Sequence, residues 1–115
     1  MNNETTKIAE QSVIGAITLD EKSLAKVIDM ISSEDFYFAD LKACYQAILE
    51  LSGKGKPIDF ITVLNALTAK EMYKESELKR VLLECVERTP SISNIEHYAK
   101  IISNSAKARK LQAIG

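Results

Sequence analysis

The chain has 115 residues, 46% apolar and 27% charged, with 15 basic against 16 acidic side chains and a formal net charge of −1. One domain of this size buries roughly two-thirds of the surface its unfolded chain exposes, enough for a core without metals or disulfides. The charge balance argues against direct DNA binding by this chain, because phosphate neutralisation needs a basic excess; no run approaches the roughly 20 apolar residues of a membrane span.

In chain order, the polar opening Met1-Asn2-Asn3-Glu4-Thr5-Thr6 is no secretory leader. Residues 1–7 are expected to form a flexible tail, residues 8–114 one helical domain, and the compartment is expected to be cytoplasmic. Ile8, Val13, Ile14 and Ile17 give a first amphipathic helix running to Leu19. Asp20 is placed to cap a second, with Leu24, Val27, Ile28 and Ile31 at i, i+3, i+4, i+7. Ser32 to Asp35 can cap a short turn that leads into Phe36-Tyr37-Phe38, and Leu41, Cys44, Tyr45 and Ile48 resume the helical spacing. Gly53-Lys54-Gly55-Lys56-Pro57 ends that helix.

Asp59 caps the next helix, whose buried face is Phe60, Val63, Leu64 and Leu67; Lys70 to Ser76 reads as a charged loop. Leu78, Val81, Leu82 and Cys85 form another helical stripe, which Thr89-Pro90 interrupts. Ser93-Asn94-Ile95-Glu96 has the form of a capping box, and Ile95, Tyr98 and Ile102 face inward after it. No segment alternates as a strand does. The expected fold is all-α, a compact orthogonal bundle of about six helices.

Chemistry-bearing patterns are absent. The four glycines do not have P-loop spacing, no nucleophile elbow occurs, and His97 is the single histidine. Cys44 and Cys85 fall on apolar stripes without a CxxC pair, as buried reduced thiols do. No catalytic, cofactor-binding or metal site is expected in this chain. Two surface features stand out instead. Three consecutive aromatics cannot all be buried on one side, which makes Phe36 and Tyr37 candidate partner anchors. Leu111 and Ile114 carry an apolar stripe beyond what the core needs, as a helix that packs on another segment or chain would.

Glu10-Gln11-Ser12-Val13-Ile14-Gly15-Ala16, Glu34-Asp35-Phe36-Tyr37, Gly55-Lys56-Pro57-Ile58-Asp59 with Ile61-Thr62-Val63, and Thr89-Pro90-Ser91 before Asn94-Ile95-Glu96-His97-Tyr98-Ala99-Lys100-Ile101 stand in this order along residues 8–114. Together they resemble the N-terminal domain of the bacterial replicative DNA helicases, the DnaB family. The resemblance implies the helical head of a hexameric ring helicase, a collar that self-associates and docks the helicase-binding domain of primase. ATP and magnesium would serve a RecA-like motor outside this chain. Val81 stands in a region the family associates with primase contact, after a loop, Tyr73 to Glu77, that lacks the family's glycine pair. Without the long helical hairpin that follows in the family, the chain is expected to be a monomer or weak dimer. The alternative is a stand-alone regulator or loader-type protein of the same fold that binds helicase or primase.

Overall fold

The computed structural model describes residues 3–71 and 73–114, the side chain of Ile114 excepted. Helix α1 spans Asn3–Leu19, α2 Leu24–Val27, α3 Ala39–Gly53, α4 Phe60–Thr68, α5 Glu75–Arg88 and α6 Ile95–Ile114. Short 3-10 turns at Glu21–Ser23, Ser33–Asp35 and Ile92–Asn94 lead into α2, the aromatic segment and α6. No strand is present among the described residues, and the expected all-α bundle of about six helices is the fold observed.

Helix α1 is the central element. Every residue from Ala9 to Thr18 is buried, because α5 and α6 pack along it and α3 closes part of the remaining side. An amphipathic stripe was the expectation here, and the structure corrects it. Ile8 is exposed, whereas Glu10, Gln11 and Ser12 are covered. A helix enclosed on all sides has no solvent face, so its polar residues must be small or find partners inside. Thr18 does so by donating to the Ile14 carbonyl at 2.7 Å.

The first turn is also ordered earlier than expected. Helix α1 begins at Asn3, inside the segment read as a flexible tail, and Thr6 is buried with its hydroxyl 3.0 Å from that of Ser105 on α6. This long-range contact ties the start of the chain to its last helix, which composition alone does not reveal.

Close approach of α1 to α5 depends on Gly15. A Cβ at this position would lie well inside van der Waals contact with the Thr89 hydroxyl and the Cys85 carbonyl. Thr89 Oγ1 donates to that carbonyl at 2.8 Å, folding the end of α5 down over the glycine. The Thr89-Pro90 break is thus both a helix stop and one wall of the crossing.

The caps follow the sequence in part. Asp59 Oδ1 accepts from the Thr62 amide at 2.9 Å and Thr62 Oγ1 accepts from the Asp59 amide at 2.9 Å, a reciprocal cap on α4. Gly55, with φ of 66°, takes the left-handed conformation that reverses the chain after α3. Asp20 caps the Glu21–Ser23 turn by accepting from the Lys22 amide, but the α-helix behind it stops at Val27. Ile28 is left exposed, and the chain bends so that Ile31 reaches the core with its carbonyl on the Tyr45 hydroxyl at 3.0 Å. Helix α5 starts at Glu75, so Glu75 and Glu77 occupy its first turn, where carboxylates oppose the helix dipole, rather than a loop. Ser93 lies within the Ile92–Asn94 turn with its hydroxyl 2.8 Å from that of Ser91. The expected Ser93–Glu96 box is replaced by a 3-10 turn that runs straight into α6.

The Gly15 crossing sets opposing effects against each other. Alanine in a helix interior gains about 1 kcal/mol over glycine, but overpacking a filled contact costs about 1–3 kcal/mol or more. Here the obstruction is partly main chain, which cannot rotate away. Gly15→Ala is therefore expected to lower the unfolding free energy by about 2 kcal/mol, measured as a lower urea midpoint.

Candidate functional site

The aromatic segment is where buried polar chemistry meets the surface. Phe36 and Phe38 have extended backbones, with φ/ψ of −76°/131° and −88°/124°. Successive side chains in such a segment point to opposite sides. Phe36 turns inward, 4% exposed, and stacks on Tyr45 with ring centroids 4.8 Å apart. Tyr37 turns outward and is 49% exposed. Phe38 is half-buried, edge-on to Tyr37 at 5.0 Å, with the Lys7 ammonium 5.6 Å from its ring centre.

Glu10 holds this segment from below. Its side chain is fully buried on α1, and its two oxygens accept from the Tyr37 amide at 2.8 Å and the Phe38 amide at 3.2 Å. Phe38 is the N-cap of α3 and offers no side-chain oxygen of its own. A carboxylate from another helix takes the N-cap amide, the part that a glutamate at the third position plays in a capping box, while Asp40 Oδ1 accepts from the Leu41 amide at 2.8 Å. When ionised, Glu10 also places negative charge at the positive end of α3.

Arg109 on α6 clamps the same segment from outside. Its Nη2 donates to the Asp35 carbonyl at 2.7 Å, and its guanidinium lies 5.1 Å from the Tyr37 ring centre, within cation–π range. Burial pushes the Glu10 carboxyl up to about 7; the Tyr37 and Phe38 amides and the nearby Arg109 charge oppose that rise, and Asp40 adds slightly to it. Cys44 and Cys85 are both buried free thiols whose ionisation burial disfavours.

The residues singled out by sequence are not all brought together. Tyr37 is presented at the surface, whereas Phe36 is a core side chain that supports the segment and does not reach solvent. Leu111, 71% exposed, lies one half-turn beyond Arg109 near the end of α6. Val81 is half-buried on α5, and α5 and α6 each pack on α1 rather than on each other. Ile114 lies outside the described side chains. Glu10 and Arg109 escaped the sequence reading. No local signal marks either, because their partners, the Tyr37 and Phe38 amides and the Asp35 carbonyl, lie far from them in sequence. Among the described residues, no group of three or more His, Cys, Asp and Glu side chains is placed to hold a metal ion, and no helix is long and apolar enough to cross a membrane.

The raised Glu10 value fixes a sign. Its folded value of about 7 exceeds its ordinary 4.5, so the native state holds the proton more tightly than the unfolded chain does. This group's contribution is most favourable at and below about pH 4.5 and is lost as pH rises through about 7. Glu10→Gln removes the titration and weakens one of the two amide bonds at all pH values. The urea-midpoint difference, wild type minus Glu10→Gln, is expected to fall steadily between pH 5 and pH 8.

The DnaB-like helicase N terminal domain model matches residues 3–104. The replicative DNA helicase DnaB of Geobacillus stearothermophilus is 34% identical over 103 residues, covering 90% of this chain and 23% of the relative. The replicative DNA helicase DnaC of Bacillus subtilis is 33% identical with the same coverage. The chain thus spans about a quarter of the length of these curated relatives. Among solved structures, the N-terminal domain of DnaB helicase from Mycobacterium tuberculosis superposes with a TM-score of 0.87 at 31% identity, over 92% of this chain and 76% of that one. The N-terminal domain of DnaB helicase from Helicobacter pylori, described with its interactions with primase, gives 0.79 at 22% identity, over 97% and 86%. On the extent of the family match, the chain belongs to the DnaB-like helicase N-terminal domain family.

Proposed function

We propose that this domain is the collar head of a replicative DNA helicase, serving helicase self-association and the docking of primase in DNA replication. The supporting observation is the family match along residues 3–104, which takes in α1 to α5 and the first half of α6. In this reading ATP-driven strand separation belongs to a motor elsewhere in the parent protein. The head works through its surface.

Tyr37 has the properties of a docking anchor. It is a large amphipathic ring, half exposed, yet its backbone is fixed by Glu10 and its face by Arg109. A ring that is already ordered loses little conformational freedom on binding, and tyrosines of this kind are frequent hot spots. Leu111 provides an apolar surface on α6 for self-association or for the next segment of the parent. Val81 marks the α5 face.

Amide-shift mapping of the labelled chain against the helicase-binding domain of primase tests the proposal. Tyr37, Val81 and Leu111 are expected among the shifted positions, and Tyr37→Ala is expected to weaken binding by about tenfold. No shift at high micromolar primase overturns the docking assignment. In sedimentation runs over a concentration series, the chain is expected to be a monomer or weak dimer, because a stable interface needs about 1,200 Å² or more of well-packed surface.

A further inference from the structure

The outer seam between α3 and α4 carries a charge pattern unlike that of the whole chain. Two cavities, about 470 Å³ and 220 Å³, lie along it and share Lys70. Four lysines line them, Lys54, Lys56 and Lys70 in the larger, and Lys42 with Lys70 in the smaller; Glu50, in the larger, pairs with Lys70, and Glu34, outside both, pairs with Lys42 at 3.1 Å. A chain of net charge −1 therefore concentrates positive charge on one groove. From Lys42 to Lys54 the seam runs about 18 Å at the helical rise of 1.5 Å per residue.

Its floor is shallow and small-sided, including Ala43, Ala66 and Ala69. That floor decides between the two polyanion classes a lysine-lined groove can take. Single-stranded nucleic acid is gripped by basic rims combined with aromatic platforms on which bases stack. Among the described residues Tyr73 is the one aromatic lining either cavity, so at most one base could stack there and successive bases could not. An extended peptide needs only about five or six residues to span the same length at roughly 3.3 Å per residue. Small side chains on alternate positions can rest on the alanines while carboxylates reach the lysines.

The seam already holds one carboxylate. Glu50 on α3 reaches across to the second residue beyond the end of α4, with Oε1 2.7 Å from Lys70 Nζ. The hydrogen bond from Lys70, with its charge and that of Lys54, holds the Glu50 carboxyl below its ordinary range despite slight desolvation. Glu50 thus stands where a partner's carboxylate would sit, and a partner must compete with it for Lys70.

We propose that the α3–α4 seam docks an acidic, small-residue peptide segment of a partner protein, with Glu50 as an internal competitor. The seam is separate from Tyr37 and Leu111 and does not depend on their role. The test is fluorescence anisotropy of the full chain with a labelled eight-residue peptide of alternating Glu and Ala. A Lys–Ala peptide and an oligothymidylate of similar length serve as comparators.

The Glu–Ala peptide is expected to bind best and to weaken as salt is raised. Glu50→Gln is expected to tighten it by about two- to fivefold, the range of an exposed ion pair. Lys54→Glu with Lys70→Glu should weaken it by about tenfold or more, and Lys54→Gln with Lys70→Gln by an intermediate factor; circular dichroism of each variant checks that the fold is kept. Tyr37→Ala should leave it unchanged. No binding of the acidic peptide at millimolar concentration, no tightening in Glu50→Gln, or tighter binding of the oligothymidylate would each overturn the assignment.

Discussion

Where α1 crosses α5, the absence of a side chain at Gly15 lets one helix backbone rest against the last turn of another. The rest of the bundle is arranged around that contact. It brings the Cys85 carbonyl and the Thr89 hydroxyl against α1, and with them the face of α5 that carries Leu78 and Leu82. Helix α6 then takes another side of α1, pinned at the first turn by Thr6 and Ser105. A small residue at the crossing and a helix stop immediately beside it are two parts of one device, although they lie far apart in sequence.

Enclosing α1 has a chemical consequence. A helix with no solvent face cannot leave a carboxylate unpartnered, and Glu10 is satisfied by the exposed backbone donors ahead of α3. The same bonds satisfy the N-cap amide of α3 and the amide before it, and fix the direction of Phe36, Tyr37 and Phe38. Buried carboxylates are costly unless hydrogen-bonded, so the arrangement holds only while α1 and the aromatic segment remain in register. Arg109 makes the register depend on α6 as well. An exposed ring held from three elements can report on the packing of all of them.

Charge is distributed by the fold in a way net charge conceals. The near-neutral total combines a lysine-lined seam at α3 and α4 with acidic first turns such as that of α5. Surface ion pairs such as Lys70–Glu50 and Lys42–Glu34 contribute little to stability. Their interest lies in which charges they leave available to a partner.

What local sequence determined was the set of helices and some of their ends. Helical spacing marked the cores of α3, α4, α5 and α6; Asp59 announced the cap on α4; Gly55-Lys56-Pro57 and Thr89-Pro90 announced the breaks. These signals act over three or four residues, within reach of a single turn. The ordered motif from Glu10 to Ile101 also carried the family, because spacing along the chain survives in sequence. Tertiary structure alone decided that α1 is central rather than amphipathic, that Phe36 is core while Tyr37 is surface, that Thr6 belongs to the fold, and that Glu10 caps a helix it does not belong to. Each of these depends on which surfaces meet across distant stretches of chain, and burial at such contacts is a property of the packed whole that no local window encodes.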